Sequence, residues 1–254
     1  MNRIKSELIK IYSKNSKHSN YQILPSALNK IINSDDIRTI TRYEKERFDY
    51  IFKKIFIKGK YILDVGGNTG FFTFELLNHG AKKVHFCEGN KKHAEFVELA
   101  AGFLKLNKRI RVTSKYLFSN NSFLDKYDVI FLLNVLHHAG DDYGDNIKSI
   151  KAARENILKE INSLKNSTDI MVLQLGFNWK GDRDKCLFNE GTKKEMIDFL
   201  KEGISDNWDI LNIGIAEKKN NKVEYVDLNY NNIVRNDKIG EFLNRPLFIL
   251  KSRK

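Results

Sequence analysis

The chain has 254 residues, 41% hydrophobic and 30% charged, and its 44 lysines and arginines against 32 acids give a formal net charge of +12. That length suits one α/β domain with an elaborated end, and the apolar content is adequate to bury a sheet. Only Cys87 and Cys186 are present, which excludes a disulfide framework or a thiolate metal cluster, and no apolar run reaches the length that spans a bilayer.

The start, Met1-Asn-Arg-Ile-Lys-Ser-Glu7, carries charges throughout and lacks the apolar core of a secretion signal, so a soluble cytoplasmic protein is expected. Up to about residue 40 the chain holds short amphipathic pieces (Ile4, Leu8, Ile11, then Leu24, Leu28, Ile31, Ile32) broken at Pro25, which predict a helical lid over 1–58. Thr41 opens a stronger helical segment running to Ile55, with Tyr43, Arg47, Phe48, Ile51, Phe52 and Ile55 on overlapping faces and Gly59 ending it. It should pack beside the first strand.

Residues 59–254 alternate strand and helix. Strands are predicted near 61–65, 83–88, 110–114, 127–133, 169–175, 208–216 and 246–251, and helices near 70–79, 90–106, 145–164 and 192–203. Such alternation means an α/β fold with a mostly parallel sheet covered on both faces. The polar segment 217–245 reads as a loop and partial strand inserted before the last strand. In an open sheet the ligand sits beyond the carboxyl ends of the strands, so function should be sought just after 65, 88, 114, 133 and 175.

At the first of those ends stands Tyr61-Ile-Leu-Asp-Val-Gly-Gly-Asn-Thr-Gly70, and the second strand ends on Glu88. Gly66, Gly67 and Gly70 allow positive φ and a close backbone approach, a helix follows from about Thr69, and Glu88 lies at the spacing of a ribose-binding acid. A dinucleotide fingerprint ending at Gly70 needs glycine at position 65, which is Val. The residues fit D-x-G-x-x-x-G instead, and Asp64 beside the turn suits a cationic sulfonium cofactor where it would repel a pyrophosphate. This stretch resembles motif I of class I S-adenosylmethionine-dependent methyltransferases, with Asn68 where that family usually has its middle glycine; asparagine tolerates the left-handed region well.

The resemblance covers residues 61–175 and implies a Rossmann-like, seven-stranded sheet with the last strand antiparallel, and S-adenosyl-L-methionine as cofactor. Carried over by position, Asp64, Gly66, Gly67, Asn68 and Gly70 line the methionine part, Glu88 holds the ribose and Asn134 sits near the sulfonium. After the third strand, Ser114-Lys-Tyr-Leu-Phe lacks the family's acid, so no adenine contact is assigned. The N-P-P-Y/F and D-P-P-Y tetrapeptides of enzymes that methylate base amino groups are absent after the fourth strand.

What stands there is Asn134-Val-Leu-His-His-Ala-Gly-Asp-Asp-Tyr143, a loop rich in ionisable groups. Removing a proton from a hydroxyl acceptor suits a histidine, and the adjacent His137 and His138 cannot point the same way, so one is read as base, with His138 ahead, and the other as structural. Asp141, Asp142 and Tyr143 are candidate substrate contacts. Imidazole with carboxylate is a possible metal set, but an acid pair capping the next helix explains the same residues, and no metal is assigned.

The fifth strand ends at Gln174-Leu-Gly-Phe-Asn-Trp-Lys180, where Gln174, Asn178, Trp179 and Lys180 are placed as a clamp for a polar, anionic acceptor, with Arg42 and Tyr43 closing over it. The Leu-His-His loop looks like that of small-molecule O-methyltransferases, including those that tailor bacterial surface-polysaccharide (capsule) precursors, so the resemblance implies methyl transfer to an oxygen of a sugar or phosphoramidate. Two alternatives stay open. The basic balance suits an RNA-modifying methyltransferase, although no arginine-rich block or RNA-reading aromatic motif appears. The other is a non-catalytic member that binds cofactor to support a partner protein.

Overall fold

A computed structural model describes residues 2–13, 21–119, 125–144 and 146–254. Eight strands form one sheet in the order β3-β2-β1-β4-β5-β8-β6-β7. They are β1 Tyr61–Val65, β2 Lys83–Cys87, β3 Ile110–Thr113, β4 Tyr127–Leu133, β5 Thr168–Gln174, β6 Trp208–Lys219, β7 Lys222–Asp227 and β8 Leu247–Ser252. β1 to β5 pair in parallel, and β8 runs antiparallel between β5 and β6. The expected sheet of seven strands gains one, because the partial strand expected inside 217–245 is β7, a hairpin partner that turns back on β6.

Side-chain alternation splits the core into two layers. Ile62, Val84, Phe86, Val129, Phe131, Val172 and Ile249 face α3 (Phe71–Asn78) and α4 (Lys91–Phe103), while Leu63, Val65, Ile130, Leu132, Met171 and Leu173 face α5 (Ile150–Ser163) and α6 (Lys193–Ile204). Every one of these strand positions is almost fully buried, and at about 25 cal/mol per Å² of apolar surface this is what holds the sheet between its helices.

The segment expected as a lid is part of the first layer. α1 (Asn2–Tyr12) lies on α4, with the Tyr12 and Phe96 rings 5.8 Å apart, and Leu8, Leu24, Leu28 and Ile32 join the same apolar cluster as the sheet. Its second amphipathic piece is not a helix. Pro25 starts a run of turns in which its carbonyl accepts from both Leu28 and Asn29.

α2 (Glu44–Lys54) starts three residues later than Thr41, because the Thr41 hydroxyl and the Arg42 amide are spent on the Glu44 carboxylate and Tyr43 takes a left-handed φ of 56°. Its main contacts are with α3 and β7, where Tyr50 donates to Asp227 at 2.7 Å, rather than beside β1. α5 begins at Ile150, not 145, because the Ser149 side chain accepts from the Ala152 amide and caps it; the Asp141 and Asp142 pair therefore does not cap this helix.

Candidate active site

The register aligns the carboxyl ends of the central strands: Val65 sits opposite Cys87 and Leu132, and Leu133 opposite Gln174. Beyond them opens a cavity of about 790 Å³, within the range of small-ligand sites.

One end of the cavity is the glycine turn. Gly66 and Gly70 have φ of +65° and +83°, and Asn68 adopts +53° as its residue type permits. Gly67 keeps an ordinary φ and is needed for space. A Cβ there would stand 2.5 Å from the Phe86 ring and 2.8 Å from Asp64 Oδ2, and one on Gly66 would meet Val135 at 2.5 Å. Gly70 lies behind the turn as the N-cap of α3 and does not line the cavity, so the helix starts at Phe71 rather than Thr69.

Both predicted acids line this end, and each also holds the turn's backbone. Asp64 Oδ2 accepts from the Thr73 hydroxyl at 2.6 Å in the first turn of α3. Burial pushes the Asp64 carboxyl up to about 6, against the lowering effect of those Thr73 hydrogen bonds. Glu88 accepts from the amides of Asn68 and Asn90 at 2.9 and 2.8 Å, clasping the glycine turn to the start of α4. Gln22, which the sequence reading passed over, closes the same end by accepting from the Phe71 amide at 3.1 Å.

The other end is basic. Arg42 lies between two rings, its guanidinium carbon 4.6 Å from the Tyr21 centroid and 5.2 Å from that of Phe242. Arg47 and Arg245 also approach Phe242, at 5.3 and 5.0 Å. Arg245 follows α7 (Gly240–Leu243); it forks onto Glu241 at 3.0 and 2.7 Å and gives its remaining arm to Asn134 Oδ1 at 2.8 Å. Burial works against the Glu241 charge, but Arg245 holds that carboxyl below its usual range.

Beneath the cavity, Gln174 Oε1 accepts from Asn134 Nδ2 at 2.9 Å and from Arg47 at 3.2 Å, while its amide nitrogen donates to the Arg245 carbonyl at 3.1 Å. This network fixes Asn134, whose φ of +61° at the end of β4 is a strained conformation for a non-glycine residue.

The histidine loop spans the middle. The buried His137 Nδ1 accepts the Gly176 amide at 3.2 Å, which commits that nitrogen to holding the loop against the end of β5. His138 is half-buried on the cavity wall, with Nδ1 3.8 Å from Asp142 Oδ2. A carboxylate beside one ring nitrogen favours the imidazolium that forms when the other takes a proton, the arrangement a general base needs. His138, Asp141 and Asp142 each bring a ligand atom within 4.8 Å of the others, but Asp141 is exposed and three such groups do not define a metal site.

Of the expected acceptor contacts, Arg42, Asp142, Tyr143, Asn178 and Lys180 line the cavity. Tyr43, Asp141, Gln174 and Trp179 do not. Trp179 is buried and donates to the Ala139 carbonyl at 2.6 Å, tying two loops together, with Lys180 Nζ 4.4 Å over its ring. Gln174 is fully buried below the floor. Arg245 and Glu241 were missed, although an antiparallel last strand gives a signal: its amino end must lie at the carboxyl ends of its parallel neighbours, as the Leu247–Gln174 pairing does. Cys87 is inert in this setting, since burial pushes its thiol up to about 12.

This is a Rossmann-like methyltransferase architecture. It superimposes on a Pyrococcus horikoshii protein with a TM-score of 0.50 over 99% of both chains at 14% identity. It also superimposes on monomeric WbdD with a TM-score of 0.57, covering 99% of this chain and 48% of that one at 14% identity. Residues 63–161 match the family model described as a methyltransferase domain. In sequence, the chain is 34% identical over 93 residues to a tRNA U34 carboxymethyltransferase of Helicobacter acinonychis (strain Sheeba), 36% of each chain. It is 33% identical over 135 residues to a tRNA U34 carboxymethyltransferase of Campylobacter hominis, 52% of this chain and 41% of that one. The chain thus spans well under two thirds of the curated relatives it matches.

Fold and domain match together imply S-adenosylmethionine as the cofactor and support a methyltransferase dependent on it. The residues present fit it: a side-chain-free cradle at Gly66 and Gly67, flanked by two buried carboxylates. The curated relatives favour the RNA-modifying alternative over a capsule-type small acceptor. Among the described residues no helix is long and apolar enough to cross a membrane.

Proposed function

We propose that the protein transfers a methyl group from S-adenosylmethionine to an oxygen of RNA. The observation that carries this is one cavity with carboxylates and a glycine turn at one end, arginines at the other, and His138 between them. When bound, S-adenosylmethionine supplies an activated methyl group on a cationic sulfur. Asp64 and Glu88 would hold its amino group and ribose, and Gly66 and Gly67 would let it lie against the backbone. Asn134, fixed from three sides, orients groups at the transfer point. His138 takes the acceptor's proton while Asp142 stabilises the resulting charge.

RNA as the acceptor is supported by the names of the curated relatives and by the net charge of +12. A second reading, a small phosphorylated or sugar acceptor, is favoured by the placement of Arg42 and Arg245 inside the cavity wall rather than on an open face. The test is incubation of the protein with labelled S-adenosylmethionine and, side by side, total tRNA and sugar-phosphate precursors. Label in tRNA that survives at physiological salt is expected; label only in the small acceptors would replace the first reading by the second.

A further inference from the structure

A second cavity, of about 500 Å³, adjoins the first and shares Asn178, Arg183 and Glu241 with it. The wall between them is a single loop. The backbones of Trp179 and Leu187 donate to the carbonyls of Lys185 and Phe177, both at 2.8 Å, and Asn178 pairs with Cys186 as an antiparallel bridge, so residues 177–187 form a closed hairpin-like excursion beyond β5. Lys180 and Gly181 take left-handed φ of 59° and 70° within it.

The loop presents Lys180 and Gly181 to the first cavity, Cys186 to the second and Arg183 to both. Arg183 is exposed and, among the described residues, has no ion-pair partner. The other charges around the second cavity are largely answered. Arg235 is paired with Asp237 and lies 5.1 Å from the Phe177 ring centroid, and Glu241 is forked by Arg245, which leaves Arg183 opposed only by the exposed Glu190. An unspent guanidinium between two connected cavities suits a phosphate that links two units, because its planar fork can engage two phosphate oxygens at once.

We propose that the acceptor is longer than its reacting unit and that the second cavity receives the nucleotide flanking the one modified, with Arg183 engaging the phosphodiester between them. This rests on the RNA reading above. It assigns the 177–187 loop a length-selecting role and makes a phosphate-linked acceptor of two or more units the substrate class.

Cys186 reports on the second cavity directly. It is the exposed cysteine, and Cys87 is buried, so a thiol reagent reads Cys186 in the folded protein. Its reaction rate is measured with saturating S-adenosylhomocysteine, first alone and then with mixed-sequence oligoribonucleotides of one to five units or with a sugar phosphate, while calorimetry on the same samples follows S-adenosylhomocysteine. The expected result is no protection by S-adenosylhomocysteine or mononucleotide, at least fivefold protection by oligomers of two units or more, and loss of that protection in Arg183→Ala with a raised KM for oligomers and little change in kcat. Equal protection by mononucleotide and oligomer, none by any oligomer that binds, or protection by the sugar phosphate alone would overturn the inference. Absence of S-adenosylhomocysteine binding would instead remove the reading beneath it.

Discussion

The cofactor end and the acceptor end of the cavity are made from different materials. Residues 64–70 and 88–90 build the first from neighbouring backbone, with Asp64 and Glu88 each anchoring amides or hydroxyls of the same turn. The second gathers side chains from α2, the ends of β4 and β5, and the segment before β8, joined through Gln174 and Asn134. A backbone cradle tolerates little change within it, whereas a side-chain network can be rebuilt for another acceptor over the same donor site. Substitutions should therefore separate the two ends.

The largest effect is expected at the chemistry between them. His138→Ala should lower kcat by about 10²–10⁴-fold while leaving S-adenosylhomocysteine affinity within about twofold, read by single-turnover kinetics and calorimetry. His137→Ala should instead loosen the loop, because it removes the acceptor of the Gly176 amide. It is expected to cost about 1–3 kcal/mol in thermal unfolding. If both variants behave alike, the division between base and anchor fails.

Gly67→Val tests the cradle. The new side chain must enter the space of Phe86 and Asp64, so cofactor affinity should fall more than tenfold, with a stability cost of about 1–3 kcal/mol from overpacking. Arg245→Ala tests the acceptor end. It leaves Glu241 without its partner and Asn134 without a donor, so KM for acceptor should rise about tenfold or more while cofactor affinity moves less than threefold. A cofactor defect as large as the acceptor defect would erase the distinction between the ends.

The smallest effect is in pH. With its carboxyl near 6, Asp64 is neutral below that value and charged above it, and a cationic amino group binds only the charged form. Affinity for S-adenosylhomocysteine should thus rise as pH increases through about 6 and level off above 7, and Asp64→Asn should flatten the profile. Because the folded value lies above the ordinary 3.8, the ligand-free protein loses the corresponding stability as pH rises through 6, which bound cofactor should offset.

The parts legible in the sequence are those fixed by local rules. Strand, glycine turn, helix and acid fall within 61–88, and the left-handed Asn68 follows from residue type alone. The start of α5 was misread by five residues because the hydrophobic period ran on through Ile147, and only the Ser149 cap marks the boundary. Trp179 and Gln174 were read as substrate contacts because polar and aromatic residues at a strand end suggest a clamp. Whether such a group faces the ligand or the layer beneath depends on Ala139, Arg47 and Tyr225, partners up to 127 residues away in sequence. Gln22 gave no local sign, since its role depends on where the turns after Pro25 return the chain against α3.

Titration calorimetry of S-adenosylhomocysteine into the purified protein at pH 7.5 bears most directly on the central claim, that a carboxylate-flanked glycine cradle holds a sulfonium donor at the carboxyl edge of the sheet. One saturable site, weakened by both Asp64→Asn and Glu88→Ala, is the predicted result. No heat of binding from a folded sample, or displacement of the ligand by a nicotinamide dinucleotide, would contradict it.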